Sequence, residues 1–165
     1  MRIATATIET PVSSVHAQLQ VRRAQSTDLD ALVTLEQGSF NSDRMSRAQY
    51  RRHLDSSSAL VLIASAEHQM LGSAIIFFRK HSHSARLYSL ATLPQARSRG
   101  VGSSLLQAVE VAARARHCHA LRLEVRVDNA HAIDLYARTG YQRTGRLAKY
   151  YEDGVDGWQY QKQLD

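Results

Sequence analysis

The chain predicts an α/β fold of the α+β type: one mixed, mostly antiparallel sheet with helices on both faces. Three observations lead there. Short apolar and period-two runs alternate with helical stripes in the order β-α-α-β-β-β-α-β-α-β-β. Turn positions at Glu67-His68 and at Asp153-Gly154 join neighbouring strands as antiparallel hairpins. A strand-helix-strand unit from Leu87 to Val127 implies one parallel pair with a right-handed crossover. The 165 residues suit a single core, so one domain is expected over residues 19–165. Residues 1–18 have weak periodicity, a proline and several Thr and Ser, and read as a poorly ordered extension.

The elements follow in order. "LQVRRA", Leu19 to Ala24, reads as the first strand. "STDLDALVTLEQGSF" places Leu29, Leu32, Val33 and Glu36 at helical spacing, and Thr27 with Asp30 fits a capping box. "SRAQYRRHL" is a second short helix, with Ser46 and Gln49 in the same spacing. "ALVLIAS", "MLGSAIIFFRK" and "ARLYSLATL" are three apolar strands. The next helix carries Val101, Leu105, Leu106, Val109 and Ala112 on one face. "ALRLEVRV", Ala120 to Val127, alternates with period two. "NAHAIDLYARTGY" is a helix with a Gly140 stop, and the tail forms two strands.

Composition narrows the function classes. Apolar residues at 44% and charged residues at 22% fit a globular protein, and no apolar run is long enough to span a membrane. The first residues lack the apolar stretch of a signal peptide, so a cytoplasmic place is expected. Cys118 is the only cysteine, which excludes an internal disulfide. The net charge of +6 suggests an anionic partner. The arginines are scattered and no aromatic pair stands among them, so nucleic acid is not the expected one.

The segment "RSRGVG", Arg97 to Gly102, lies between a strand and a helix. Free N–H groups at a helix N-terminus, with the helix dipole behind them, attract anions. Gly100 and Gly102 let an anion approach the backbone, and Arg97 and Arg99 add charge. The spacing is not a P-loop, because no Gly-Lys-Ser/Thr follows. Nor is it the dinucleotide fingerprint, because Leu105 stands where the third glycine belongs. Two glycines that simply shape a turn remain the plain alternative.

In its context the segment resembles motif A of the GCN5-related N-acetyltransferases (GNAT), Arg/Gln-x-x-Gly-x-Gly/Ala. "LRLEVRVDNAHAIDLYARTGY" is similar to that family's next strand and helix. "KYYEDGVDGWQYQKQL" resembles the closing hairpin of its protein N-terminal acetyltransferases, most of all the ribosomal-protein alanine N-acetyltransferase branch. The resemblance implies a GNAT-type domain with acetyl-CoA as cofactor. It implies that backbone groups across Arg97, Ser98, Arg99, Gly100, Val101, Gly102 and Ser103 hold the pyrophosphate of coenzyme A. It also implies that the backbone of Leu90 and Thr92 pairs with pantetheine, where two strands splay apart.

Acetyl transfer to an amine needs a proton acceptor, a donor to the tetrahedral oxyanion and a proton for the leaving thiolate. Glu124, off the apolar parity of its strand, matches the family's proton acceptor; the plain alternative is an exposed strand glutamate. Tyr136 matches its acid, against a packing tyrosine. Asn129 is a helix cap, a coenzyme A contact, or both. The backbone near Leu90 or Ala91 is the expected oxyanion donor. Cys118 and the "HCH" and "HSH" triplets lack the spacing of a metal site, so no metal is expected, and transfer is expected to be direct.

The expected acceptor is a primary amine, foremost a protein N-terminus, with Glu36, Tyr150 and Tyr151 binding it. Phe40 is followed by Asn41-Ser42-Asp43 and not by the Pro-Trp of many alanine N-acetyltransferases. A lysine side chain, a polyamine or another small amine therefore stays open. A coenzyme-A-binding sensor and a basic RNA-associated module are the non-enzyme alternatives. Either a monomer or a homodimer fits.

Overall fold

The computed structural model describes residues 2–5 and 18–165. Its elements are β1 (Arg2–Thr5), β2 (Gln20–Arg23), α1 (Leu29–Ser39), α2 (Arg47–Asp55), β3 (Ala59–Ala66), β4 (Gln69–Phe78), β5 (Ser84–Thr92), α3 (Val101–Ala115), β6 (Ala120–Arg126), α4 (Ala130–Arg138), β7 (Gln142–Leu147) and β8 (Gly157–Gln163). From β2 onward this is the order that the sequence predicts. The sheet runs β2-β3-β4-β5-β6-β8-β7, and β1 pairs with β5 besides. Among the described residues only the β5–β6 and β1–β5 pairs are parallel.

Strand parity sorts the core into two layers. Val61 and Ile63 of β3 pack with Leu29 and Leu32 of α1 and Tyr50 of α2. Their neighbours Leu62 and Ala64 pack with Leu105, Leu106 and Val109 of α3. Successive strand side chains point to opposite faces, so each apolar run serves both layers. Gly72 lets α3 close on β4: a Cβ there would lie 2.7 Å from the Ala91 carbonyl oxygen and 3.0 Å from Val101 Cγ1. Glu67 and His68, both with positive φ, make the two-residue turn between β3 and β4.

Helix caps hold the local frame. The Ser46–Gln49 capping box forms as predicted: Ser46 N–H donates to Gln49 Oε1 at 2.7 Å, and Gln49 N–H donates to Ser46 Oγ at 3.2 Å. The Thr27–Asp30 box does not form. A short 3-10 turn, Ser26–Asp28, comes first. Asp28 accepts from the Gln25 N–H at 2.7 Å and takes both ends of the Arg22 guanidinium, while Asp30 pairs with Arg47. A two-pronged arginine contact fixes Asp28 better than a lone cap would fix Asp30.

The strand that positions the site is β5. Its first half pairs with β6, from Ser84↔Ala120 to Leu87↔Leu123. Its second half pairs on that same edge with β1, from Arg2↔Ser89 to Thr5↔Thr92. Opposite β4 the register slips by one residue, with Ile76 facing Leu87 and Ile75 facing Ser89. Tyr88 is thus the extra residue of a bulge where the strand changes neighbours. Residues 1–18 were expected as a poorly ordered extension; Arg2–Thr5 instead form a strand. The edge of β5 accounts for it, because its free backbone groups accept a parallel neighbour. The rest of that expectation, residues 1 and 6–17, lies outside the described residues.

Candidate active site

The Arg97–Ser103 segment folds as its glycines require. Pro94–Arg99 form a 3-10 turn, and Gly100 follows at φ 75°, ψ 18° as the cap of α3. That left-handed conformation, and not lack of space, demands glycine: a Cβ at residue 100 would meet nothing within 4 Å. The first bond of α3 runs from the Ser104 N–H to the Gly100 carbonyl at 2.9 Å. The amides of Val101, Gly102 and Ser103 precede it and point out of the helix. Arg97 and Arg99 flank them, both exposed. A narrow groove of about 40 Å³ opens here, lined by Leu90, Thr92, Arg97, Gly102, Ser103 and Leu135. The predicted cofactor residues are therefore brought together by the end of β5, the turn and the start of α3. Ala91 contributes backbone on the same strand, and Asn129 caps α4 across the groove, its Oδ1 accepting from the Ala132 N–H at 3.2 Å. The outward amides and the flanking arginines suit a pyrophosphate.

A second opening, about 550 Å³, lies further back along β5, with Arg2, Arg86, Tyr88, Tyr150, Tyr151 and Glu152 on its walls. Arg86 ties the wall to Glu124: its Nε donates to Glu124 Oε2 at 3.0 Å, and its Nη2 donates to the Tyr150 hydroxyl at 3.0 Å. Glu124 is 9% exposed. Burial alone would raise its carboxyl, but positive charge around it, Arg86 included, outweighs that and holds it below the ordinary value. Glu124 is thus a buried, ionised carboxylate beside the cavity. The Tyr150 and Tyr151 rings meet edge-on at 5.1 Å, and Arg126 lies 5.0 Å from the Tyr151 ring centre. Burial, then the charge of Glu124, pushes the Tyr150 phenol up.

Tyr136 is fully buried in α4, its ring 5.4 Å from Tyr141 and 6.2 Å from Tyr160. Burial, then Tyr141 and Tyr151, raises its phenol well above 10. Glu36 is 2% exposed and accepts from the Met45 N–H at 2.7 Å and the Tyr50 hydroxyl at 2.8 Å. It also takes the Arg2 guanidinium, which lies 4.4 Å from the Phe40 ring centre and 5.3 Å from that of Tyr88.

Sequence reasoning missed Arg86, Tyr88 and Arg2. For Arg86 and Tyr88 a signal existed: they alternate with Ala85 and Leu87 in "ARLYSL", so one polar side of that strand had to face something. Arg2 carried none, because only the β1–β5 pairing brings it to Glu36. Cys118 is buried between α3 and β6, and burial raises its thiol, so it is no poised nucleophile. Among the described residues no cluster of three or more His, Cys, Asp or Glu is placed to hold a metal ion, and no helix is long and apolar enough to cross a membrane.

A helix start with outward amides lies beside a parallel strand pair that parts after Leu87↔Leu123, an arrangement that suits a coenzyme-A-dependent acyltransferase. The chain belongs to the acetyltransferase (GNAT) family, whose pattern its residues 28–141 match. It is 26% identical over 155 residues to an N-alpha-acetyltransferase of Sulfurisphaera tokodaii, covering 86% of this chain and 90% of that protein. It is 27% identical over 133 residues to a candidate ribosomal-protein bS18-alanine N-acetyltransferase of Bacillus subtilis, covering 81% and 87%. The ribosomal-protein-S18-alanine N-acetyltransferase of Escherichia coli has the same fold, with a TM-score of 0.78 at 24% identity over 90% of this chain and 95% of that one. This protein is an acetyl-CoA-dependent N-acetyltransferase.

Proposed function

We propose that the protein transfers acetyl from acetyl-CoA directly to the α-amine of a protein or peptide N-terminus. One observation carries the reading. The two openings lie on consecutive stretches of a single strand, Arg86 and Tyr88 on one, Leu90 and Thr92 on the other. A cofactor on the second and an acceptor in the first would meet at the Tyr88 bulge, with no covalent relay between them. The larger cavity suits an extended peptide end, whose backbone the paired rings of Tyr150 and Tyr151 would flank. The N-terminal acetyltransferases among its relatives support the same class of acceptor.

In this mechanism Arg97–Ser103 bind the pyrophosphate, and the β5 backbone at Leu90–Thr92 aligns the thioester. An N–H near Leu90 or Ala91 donates to the oxyanion. Glu124, held low by the positive charge around it, Arg86 included, draws the proton from the incoming ammonium, directly or through one water. Tyr136 gives its proton to the departing thiolate. Acetyl-CoA supplies the activated acyl group. A cytoplasmic setting suits such acceptors.

A small polycation is the second reading, because Glu36, Phe40 and Tyr88 already surround a guanidinium. Coenzyme A release, with mass detection, would be followed on two acceptor pools. One holds peptides with free N-termini and blocked lysines. The other holds blocked N-termini with free lysines, together with polyamines. Turnover in the first pool alone is expected. Turnover confined to the second would sink the N-terminal reading and leave the family assignment intact.

A further inference from the structure

We propose that Arg2–Thr5 is a built-in occupant of the cofactor's edge, a strand that acetyl-CoA must displace before it binds. The proposal rests on the reading of Leu90–Thr92 as the pantetheine edge. β5 has two edges. Along Ser89–Thr92 one edge is bonded to β4, and the other is bonded to β1. The β6 pairing stops at Leu87↔Leu123. The edge that the cofactor's amides would use is therefore the one that β1 holds, and the same N–H and C=O groups cannot serve both. The overlap is extensive: four residues of extended chain span about 13 Å. That carries β1 from Thr92, beside the pyrophosphate loop, back to Ser89 next to the Tyr88 bulge.

The anchor of this strand is incomplete. Arg2 is 7% exposed, yet only its Nη1 is bonded, to Glu36 and to the Asp43 carbonyl. Its Nε and Nη2 are buried without a hydrogen-bond partner. A buried guanidinium with idle donors is penalised, and water would satisfy those donors on release. Glu36 does not lose everything when Arg2 departs, since the Met45 N–H and the Tyr50 hydroxyl stay on its oxygens. The contact is thus strong enough to seat the strand and poor enough to give way. Arg2 also lines the acceptor cavity. Its departure would uncover the Glu36 carboxylate there, so cofactor binding would prepare that wall for the acceptor's cation.

An occupant of this kind weakens apparent affinity by the fraction of molecules in which the edge is free. Acetyl-CoA affinity would be measured by calorimetry on three proteins: the full chain, Arg2→Ala, and a chain that starts at Gln18 behind a new methionine. Arg2→Ala guards against misfolding of the shortened chain, since it leaves the length unchanged. The two variants are expected to bind acetyl-CoA about tenfold tighter or more, as for an edge occupied at least nine-tenths of the time. A peptide of residues 1–9, N-acetylated so that it is no acceptor, is expected to compete with acetyl-CoA on the shortened chain. It should raise the KM for acetyl-CoA and leave kcat alone. Hydrogen exchange on the full chain should show the amides of residues 2–5 losing protection when acetyl-CoA is added. Equal affinities in all three proteins, with an inert peptide, overturn the proposal and leave the cofactor edge standing. A shortened chain that melts normally yet binds no acetyl-CoA overturns the edge itself, and the proposal with it.

Discussion

The two halves of β5 differ in everything but their strand. Ser84–Leu87 are sealed between β4 and β6, and Arg86 projects from this half to Glu124 and Tyr150. Ser89–Thr92 have lost β6 and lie beside β1 and the start of α3. The first half is fixed by regular pairing, so it can hold charges in place. The second half offers backbone groups to whatever lies alongside. The bulge at Tyr88 separates these tasks. One strand of nine residues thereby carries Arg86 and Tyr88 on the wall of the larger opening and Leu90 and Thr92 on that of the smaller.

The largest effect is expected off the strand itself, at Tyr136, buried in α4. Tyr136→Phe keeps the buried ring and removes the proton; kcat is expected to fall by about a hundredfold or more, read by coenzyme A release, with a melting temperature within a few degrees of the parent. A fall of less than a few-fold would assign the acid role elsewhere.

Glu124→Gln tests the sealed half. Loss of the proton acceptor should lower kcat by about ten- to a hundredfold. The same variant has a pH signature. The carboxyl of Glu124 sits below its ordinary value of 4.5 in the fold. The stability it lends is therefore present above 4.5 and is lost as pH falls through the depressed value. Denaturant titrations from pH 6 to pH 3 should show a shallower acid loss in Glu124→Gln than in the parent. Parallel curves would mean that Arg86 and its neighbours do not stabilise the ionised form.

Gly72→Ala strikes the open half from behind. Its Cβ would lie 2.7 Å from the Ala91 carbonyl oxygen, so β5 or α3 must shift. A loss of about 1–3 kcal/mol is expected, together with a raised KM for acetyl-CoA, both from one protein preparation. An unchanged KM would show that the edge at Ala91 tolerates movement.

The smallest effect sharpens the comparison by leaving it alone. Ser46→Ala removes one arm of the α2 capping box; Ser46 itself lines neither opening, while its partner Gln49 lies on the wall of the larger one. Stability should drop by about 1 kcal/mol, by thermal melting, while kcat and both KM values stay level. A change in kcat there would mean that α2 is coupled to the site through Tyr50 and Glu36.

Much of this was legible before any coordinates. "ALVLIAS" and "MLGSAIIFF" announce strands by short apolar runs, and both layers of the core follow from their parity. Gly100 was legible as the glycine of a loop-to-helix turn, and the structure gives it the positive φ of 75° at the start of α3. The start of α1 was misread because Asp28 and Asp30 each stand three residues after a residue that can cap, Gln25 and Thr27, and the Arg22 contact favours Asp28. The burial of Glu36 was not legible, since its partners come from residues 2, 45 and 50.

The sequence by itself determined the element order, the parity of each strand, the glycine at residue 100 and the residue types at 124 and 136. Periodicity, turn chemistry and backbone sterics act over a few neighbours, so a linear reading suffices for them. Only the tertiary structure decided which strand Arg2–Thr5 would join, that Arg86 would bind Glu124 and that Tyr136 would be sealed from water. Those outcomes depend on which edges are left unpaired and which charges share a low-dielectric space once the chain has closed on itself.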